Sequence, residues 1–169
     1  MRKLLDGIYD SAAALAALFM VGLLVMVVLS IVSRQVGFHV PGIDAYAGYL
    51  MAASGFLALA HTLKRGEHIR VTLLLNALPG RWKKALDVGA LGLATLLAAL
   101  FAFYSCKLAW QSRTFNDIST GSDATPLWLP QLGMALGTVI FLVAFIDELV
   151  LEIRGQRVTT TSSEALRNE

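Results

Sequence analysis

The sequence is 169 residues long, about the size of one domain, but 56% of its residues are hydrophobic and only 15% are charged. A mean hydropathy of +0.65 excludes an ordinary water-soluble domain. The formal net charge of +2 is spread over both tails and every connection, so it forms no nucleic-acid-binding patch. The single cysteine, Cys106, excludes an intrachain disulfide and a cysteine metal cluster.

Four long stretches lack Asp, Glu, Lys and Arg, and they cover residues 11–33, 45–63, 88–106 and 124–146. About 18 such residues are enough for an α-helix to cross a hydrocarbon core of about 30 Å. The sequence therefore predicts an all-α polytopic membrane protein. We expect residues 1–169 to form a single membrane domain with transmembrane helices at about 11–33, 43–63, 87–107 and 124–147. Too few residues remain for a soluble catalytic domain, so we predict that the chain is not an enzyme.

The first stretch follows Arg2 and Lys3, as the core of a secretory signal peptide would. However, its 23 uncharged residues exceed the length of about 7–15 that is usual for a signal core. Arg34 then follows without a small-residue cleavage site. We therefore predict that this stretch is retained as a transmembrane helix.

Two helix starts carry local signals. Pro41 and Gly42 interrupt the first loop, and Asp44 follows in the first turn of the second helix, where a carboxylate complements the helix dipole. Asp123 and Pro126 give a similar signal for the start of the fourth helix, since proline is tolerated in a first helical turn.

The connection between the second and third spans is the unusual part of the chain. Residues 68–79 predict a short amphipathic helix on the membrane surface, bracketed by basic residues and ended by Pro79 and Gly80. Apolar residues surround much of this helix, which favours packing against protein; a lipid-facing stretch without a partner is the alternative. Residues 155–169, rich in Thr and Ser, predict a flexible tail.

The distribution of positive charge predicts the orientation. Both tails and the second connection together hold 11 Lys and Arg residues, whereas the first and third connections hold three. Because cytoplasmic connections collect positive residues, we expect both termini to be cytoplasmic.

The predicted membrane-spanning stretches contain few ionisable side chains. Its four stretches contain one histidine, His61, close to the end of the second span. Intramembrane transport or proton relay needs ionisable groups at depth, and a bis-histidine haem needs a second histidine on a facing helix. We therefore expect no cofactor and no metal. Two other functions also use four membrane-spanning helices. One is a membrane anchor of a respiratory or redox complex, and the other, which the sequence favours less, is a small multidrug exporter.

Small residues at helical spacing predict faces on which helices pack closely. They are Ala45, Gly48, Ala52 and Gly55 in the second span, Ala94, Ala98 and Ala102 in the third, and Gly133 and Gly137 in the fourth. The spacing leaves open whether these contacts lie within the chain or between subunits.

Several segments in this order resemble a known family. They are Arg34, the Pro41-Gly42 turn with Asp44, the segment 57–71 (LALAHTLKRGEHIRV), and the segment 126–130 (PLWLP). The most specific part is RGxHIxV at 65–71. The chain resembles the small membrane subunit, the DctQ-like or Q subunit, of tripartite ATP-independent periplasmic (TRAP) transporters.

The resemblance implies a secondary uptake system in the bacterial inner membrane. Its partners would be a large membrane subunit, which transports an organic anion with sodium or proton coupling, and a periplasmic substrate-binding protein. This chain would then be a non-catalytic scaffold that contacts those partners and membrane lipids, with no nucleic acid involved. Candidate contact residues are Arg34, Asp44, Lys64, Arg65, Glu67, His68, Arg70, Lys107, Arg113, Asp117 and Asp123. Within that set, the outer polar residues are candidate contacts for docking the binding protein, and they are Arg34, Lys107, Arg113, Asp117 and Asp123.

Overall fold

The computed structural model describes residues 2–38, 40–65, 80–121 and 123–155. These contain four α-helices: α1, Arg2–Val36; α2, Ile43–Lys64; α3, Gly80–Thr114; and α4, Trp128–Ile153. Each helix has a stretch that is long and apolar enough to cross a membrane, which confirms the predicted all-α polytopic membrane protein. The predicted surface helix at 68–79 and residues 156–169 of the predicted tail lie outside the described residues.

Two helices are longer than their uncharged stretches. α1 and α3 each have 35 residues, or about 52 Å at 1.5 Å per residue, against a hydrocarbon core of about 30 Å. The hydrogen bonds of these helices therefore continue beyond the apolar stretch into charged turns. α2 starts at Ile43, as the sequence predicts.

α4 starts at Trp128, four residues after the predicted position. Residues before it belong to a closed loop instead, because Ile118 and Pro126 form an isolated antiparallel β-bridge. The Leu127 N–H also donates to the Asp117 carbonyl, at 3.0 Å. These two contacts hold the residues before Trp128 outside the helix.

α2 and α4 form the central pair of the fold. α1 packs on α2 and only lightly on α4, and α3 packs on α4, so α1 and α3 flank the central pair. One end of the array carries the connections 37–42 and 115–127, and we call it the loop end. The opposite end, with the start of α1, the end of α2, the start of α3 and the end of α4, is the terminal end.

α1 is held through one narrow stripe. Tyr9, Ala12 and Ala16 are buried at spacings of three and four residues, which is the pattern of a two-helix seam. The other faces of α1 carry bulky aliphatic side chains that are exposed within this chain, including Leu18, Val21, Leu24, Val25 and Val28. These faces suit contact with lipid tails.

α3 packs on α4 through a stripe of small side chains. The buried residues in this stripe are Ala98, Ala102, Ser105, Ala109 and Ser112. Two members of the predicted small face of α3, Ala98 and Ala102, therefore lie in the interior, and the third, Ala94, is partly buried against the same apolar cluster.

Gly133 and Gly137 allow α4 to approach α2 closely. A methyl group at Gly137 would lie 2.5 Å from the carbonyl carbon of Phe56 and 2.6 Å from its oxygen. A methyl group at Gly133 would lie 2.9 Å from the Ala53 Cβ. The GxxxG pair of α4 thus packs inside the chain, against the backbone of α2.

The small face of α2 has a different environment. Gly48, Ala52 and Gly55 are exposed, while Ala45 is half-buried. Among the described residues, no atom lies within 4 Å of a Cβ built at Gly48 or Gly55. This stripe points away from the other three helices and is not covered by any described part of the chain.

Candidate functional site

The polar side-chain pairs that join different helices lie at the two ends of the helix array. Within the described residues, no group of three or more His, Cys, Asp and Glu side chains is placed to hold a metal ion. The candidate sites are therefore the loop end and the terminal end.

An exposed ion pair joins α1 to α2 at the loop end. Arg34 Nη2 lies 3.2 Å from Asp44 Oδ2, and the Ser30 hydroxyl donates to Asp44 Oδ1 at 3.0 Å. Both charged side chains are 73% exposed. Such an exposed pair contributes only about 0–1 kcal/mol to stability.

A cleft of about 440 Å³ lies beside this ion pair. The last turns of α1, the loop before α2 and the first turn of α2 line it, and Gly121 reaches it from the α3–α4 connection. Phe38 and Val40 give it an apolar wall next to the charged pair. The loop end thus presents charge and apolar surface together.

A second network ties the α3–α4 connection to α2. Asp123 accepts hydrogen bonds from the Ser119 hydroxyl at 2.8 Å and from the Tyr49 hydroxyl at 3.1 Å. The Thr125 hydroxyl donates to the Tyr46 hydroxyl oxygen, also at 3.1 Å. Asp123 thus has hydrogen-bond partners within the chain, and its predicted contact with a partner stays a prediction.

Gly42 brings the two loop-end connections into contact. Its φ of +76° lies in the left-handed region, which an L-residue with a Cβ adopts only at a cost. A methyl group at this position would lie 2.5 Å from the Asp123 Cβ. The turn before α2 thus depends on glycine for its conformation and for its contact with the other loop.

The hydrogen bonds of Asp123 stabilise its charged form. The Ser119 hydroxyl is the main cause of a lowered pKa, Thr125 and Tyr49 add to it, and desolvation opposes it, so the pKa of Asp123 falls to about 2. Hydrogen bonding to a carboxylate favours the ionised state.

We expect the Asp123 network to survive mild acidification. A lowered pKa contributes stability above the unfolded value of about 3.9, and this contribution disappears as the pH falls through about 2. The ¹³C chemical shift of the Asp123 carboxyl carbon, assigned with an Asp123→Asn variant, should be that of an ionised carboxylate at pH 4. A titration midpoint at about 4 would contradict this interpretation.

Other predicted contact residues at the loop end also have partners within the chain. The Arg113 guanidinium lies 5.2 Å from the centre of the Trp128 ring, which joins α3 to α4. The Lys107 ammonium lies 6.0 Å from the Tyr104 ring on the same helix. Asp117 is exposed, and its backbone joins the end of α3 to the start of α4.

At the terminal end, two acidic residues of α1 meet two basic residues of α2. Lys64 forms an ion pair with Asp6, and its ammonium lies 5.1 Å from the centre of the Tyr9 ring. One turn away, His61 Nδ1 lies 3.6 Å from Asp10 Oδ1. Asp6 and Asp10 are not among the residues predicted from the sequence, although their spacing of four residues places them on one face of a helix.

The remaining candidates lie beyond α2. Arg65 caps the helix with its backbone and is exposed. Glu67, His68 and Arg70 lie outside the described residues.

The chain matches the model of a known protein family. The model for the DctQ component of tripartite ATP-independent periplasmic transporters matches residues 23–155. The chain belongs to the DctQ family. A comparison with curated proteins gives no match. The match to the DctQ family model confirms the resemblance found in the sequence. This multi-pass membrane protein is therefore a component of a TRAP transporter.

The match spans most of the features that define the fold of this DctQ protein. It includes all of α2, α3 and α4 and both loop-end networks. Asp6 and Asp10 precede the matched residues, so the acidic side of the terminal-end contact lies outside the family match.

Proposed function

We propose that this DctQ protein is the small, non-catalytic scaffold subunit of a TRAP transporter for an organic anion. It anchors the large transport subunit in the membrane, and that subunit carries the substrate and the coupling sodium ions or protons. The observation that carries this proposal is the uncovered small-residue face of α2, in a chain whose charged contacts between helices lie only at the helix ends among the described residues.

The exposed faces of α1 and α2 differ in the size of their side chains. α1 exposes bulky aliphatic side chains such as Leu24 and Val25, which pack against lipid as well as against protein. α2 exposes Gly48, Ala52 and Gly55, which allow a second helix to approach closely. Because lipid tails are as apolar as Leu, close packing drives helix association in a membrane. We assign the α2 face to the large subunit and the α1 face to lipid.

The proposed orientation places the loop end in the periplasm and both termini in the cytoplasm of a bacterium, with the protein in its inner membrane. Arg34 and Asp44 are then accessible to a periplasmic binding protein, while Asp123 holds their supporting loop in place. Lys107, Arg113 and Asp117 are further docking candidates because they too are exposed. Lys64 and Arg65 would lie at the cytoplasmic surface, near anionic lipid headgroups.

We expect Gly55→Leu to release the large subunit without unfolding this chain. Gly55 is exposed, and a Cβ built there meets no described atom within 4 Å, so we expect leucine to extend away from the rest of the subunit. It would separate the α2 backbone from a partner helix by the width of a side chain. Affinity purification of the tagged chain from its native membrane should recover at least about tenfold less large subunit, equivalent to about 1.4 kcal/mol.

The matched control is Ala17→Leu, which enlarges an exposed small residue on the proposed lipid face of α1. It should leave recovery of the large subunit unchanged. Equal recovery from wild type and Gly55→Leu would contradict the assignment of the α2 face. Substrate uptake into liposomes containing this chain alone would contradict the scaffold role itself.

A further inference from the structure

One side of α3, opposite its contact with α4, is exposed within this chain. α3 lies at the edge of the helix array and packs on α4. Opposite its buried small-residue stripe, Leu93, Leu96 and Leu100 are exposed. These bulky aliphatic side chains suit contact with lipid tails, as those of α1 do. We call this side the outer face of α3.

The uncharged stretch of α3 matches the thickness of a hydrocarbon core. It is bounded by Asp87 and Lys107, which lie 20 positions apart, or about 30 Å along the helix axis. Because a hydrocarbon core is also about 30 Å thick, these two charged residues lie at its opposite boundaries. Lys107 is therefore at the level of the lipid headgroups at the loop end.

Two aromatic side chains flank Lys107 on the outer face. Tyr104 and Trp110 lie three positions before and after it, or about 4.5 Å along the axis in either direction. Tyr104 is 60% exposed, Trp110 is 73% exposed, and the Lys107 ammonium lies 6.0 Å from the centre of the Tyr104 ring. Trp and Tyr are enriched at the level of lipid headgroups, where an apolar ring meets a polar group. We call these three side chains the Lys107 surface.

The positive charge of the Lys107 surface has no acidic neighbour along its helix. The sequence has no Asp or Glu from 88 to 116. The ion pairs between described residues use Asp6, Asp10 and Asp44, and none of them includes Lys107. An ammonium with three N–H donors is complementary to an anion with several oxygen atoms. At this depth in a membrane, that anion is a lipid phosphate.

We propose that the Lys107 surface binds the phosphate of an anionic phospholipid in the leaflet at the loop end. Lys107 donates hydrogen bonds to the phosphate, and the indole N–H of Trp110 is a second donor on the headgroup side. Tyr104 lies on the acyl-chain side and holds the ammonium at its ring. A zwitterionic lipid is a weaker ligand, because its own cation competes with Lys107 for the phosphate. This inference goes beyond the scaffold role, and it takes Lys107 out of the residues that dock the binding protein.

The test uses the full chain, purified with the subunits that accompany it in its native membrane and reconstituted in liposomes of phosphatidylglycerol and phosphatidylcholine. One of the two lipids carries brominated acyl chains, which quench tryptophan fluorescence on contact. The difference between wild type and Trp110→Phe isolates the Trp110 signal. We expect an about fivefold preference for brominated phosphatidylglycerol, equivalent to the about 1 kcal/mol that one lysine gains near an anionic surface. Lys107→Gln should remove this preference, and because Lys107 is exposed the variant should fold.

Lys84→Gln is the matched control. It makes the same change of charge at an exposed position of the same helix, about 39 Å along the axis from Trp110. It should leave the preference unchanged, and so should inorganic phosphate added at constant ionic strength.

Three results would overturn the proposal. Trp110 that neither brominated lipid quenches would show that protein covers the outer face. Equal preference in wild type and Lys107→Gln, or equal losses in Lys107→Gln and Lys84→Gln, would show that Lys107 forms no local site. Loss of the preference on addition of inorganic phosphate would identify a free anion as the ligand instead of a lipid.

Discussion

Gly137→Ala will separate α2 from α4 and destabilise the whole helix array. The added methyl group would lie 2.5 Å and 2.6 Å from the backbone carbonyl atoms of Phe56, which cannot rotate away as a side chain can. The two helices must move apart, and they form the central pair to which α1 and α3 attach. Overpacking of this kind costs about 1–3 kcal/mol or more, and we expect the upper part of that range.

Thermal unfolding in detergent or nanodiscs measures this effect, and two other glycines provide a graded series. Gly133→Ala should cost less, because its closest contacts are longer, at 2.9 Å to the Ala53 Cβ and 3.3 Å to the Ala53 Cα. Gly89→Ala on α3 meets no described atom within 4 Å and should leave stability within about 0.5 kcal/mol of wild type. Equal stability of the Gly137 and Gly89 variants would refute the close α2–α4 contact.

Gly42→Ala will separate the two connections at the loop end. It places a Cβ 2.5 Å from the Asp123 Cβ and imposes a left-handed conformation that costs about 1–2 kcal/mol for a residue other than glycine. Asp123 must then shift, which breaks its hydrogen bonds with Tyr49 and Ser119. If the loop end docks the binding protein, uptake that depends on that protein should fall at least about tenfold, a loss equivalent to about 1.4 kcal/mol.

A Gly37→Ala variant separates the effect of backbone strain from the effect of the contact with Asp123. Gly37 has a similar φ of +79°, but a methyl group there meets no described atom within 4 Å. This variant should carry the backbone strain without disturbing Asp123, and so retain most of the uptake activity. A Gly42→Ala transporter with full uptake would remove the loop end from the docking role, whereas equal losses in both variants would assign the effect to strain.

The positions of the four spans could be predicted from uncharged stretches, but the helix ends could not. The absence of charge marks where the chain can cross hydrocarbon, whereas backbone hydrogen bonding continues wherever no residue breaks the helix. α1 therefore extends through Asp6 and Asp10, and α3 through Lys107 and Arg113. α4 starts late because the Ile118–Pro126 bridge binds the preceding residues into a loop.

The small-residue faces show a second limit on sequence-based prediction. Gly133 and Gly137 lie on a small-residue stripe at helical spacing, and so do Gly48 and Gly55, yet the first pair packs against α2 and no described residue covers the second pair. Which face is covered depends on where neighbouring helices sit, and residue spacing carries no information about that.

Polar contacts between residues that are far apart in the sequence are also difficult to predict. Arg34 and Asp44 were both candidates, and only ten residues separate them. The contact between Tyr49 and Asp123 joins residues that are 74 positions apart. Its existence depends on how the start of α2 lies beside the loop before α4, so a local pattern could not predict it.

The uneven burial of the helices has a consequence for how the protein enters the bilayer during synthesis. The α1 span is the most apolar of the four and the least buried by the rest of the chain, while the α2 span is the least apolar and the most buried. α1 can therefore partition into lipid as an independent helix. α2, with Ser54 and His61 facing its neighbours, gains much of its insertion free energy from contact with helices already in place. The first helix thus acts as an insertion partner for the second, and a chain without it would leave α2 poorly retained in the membrane.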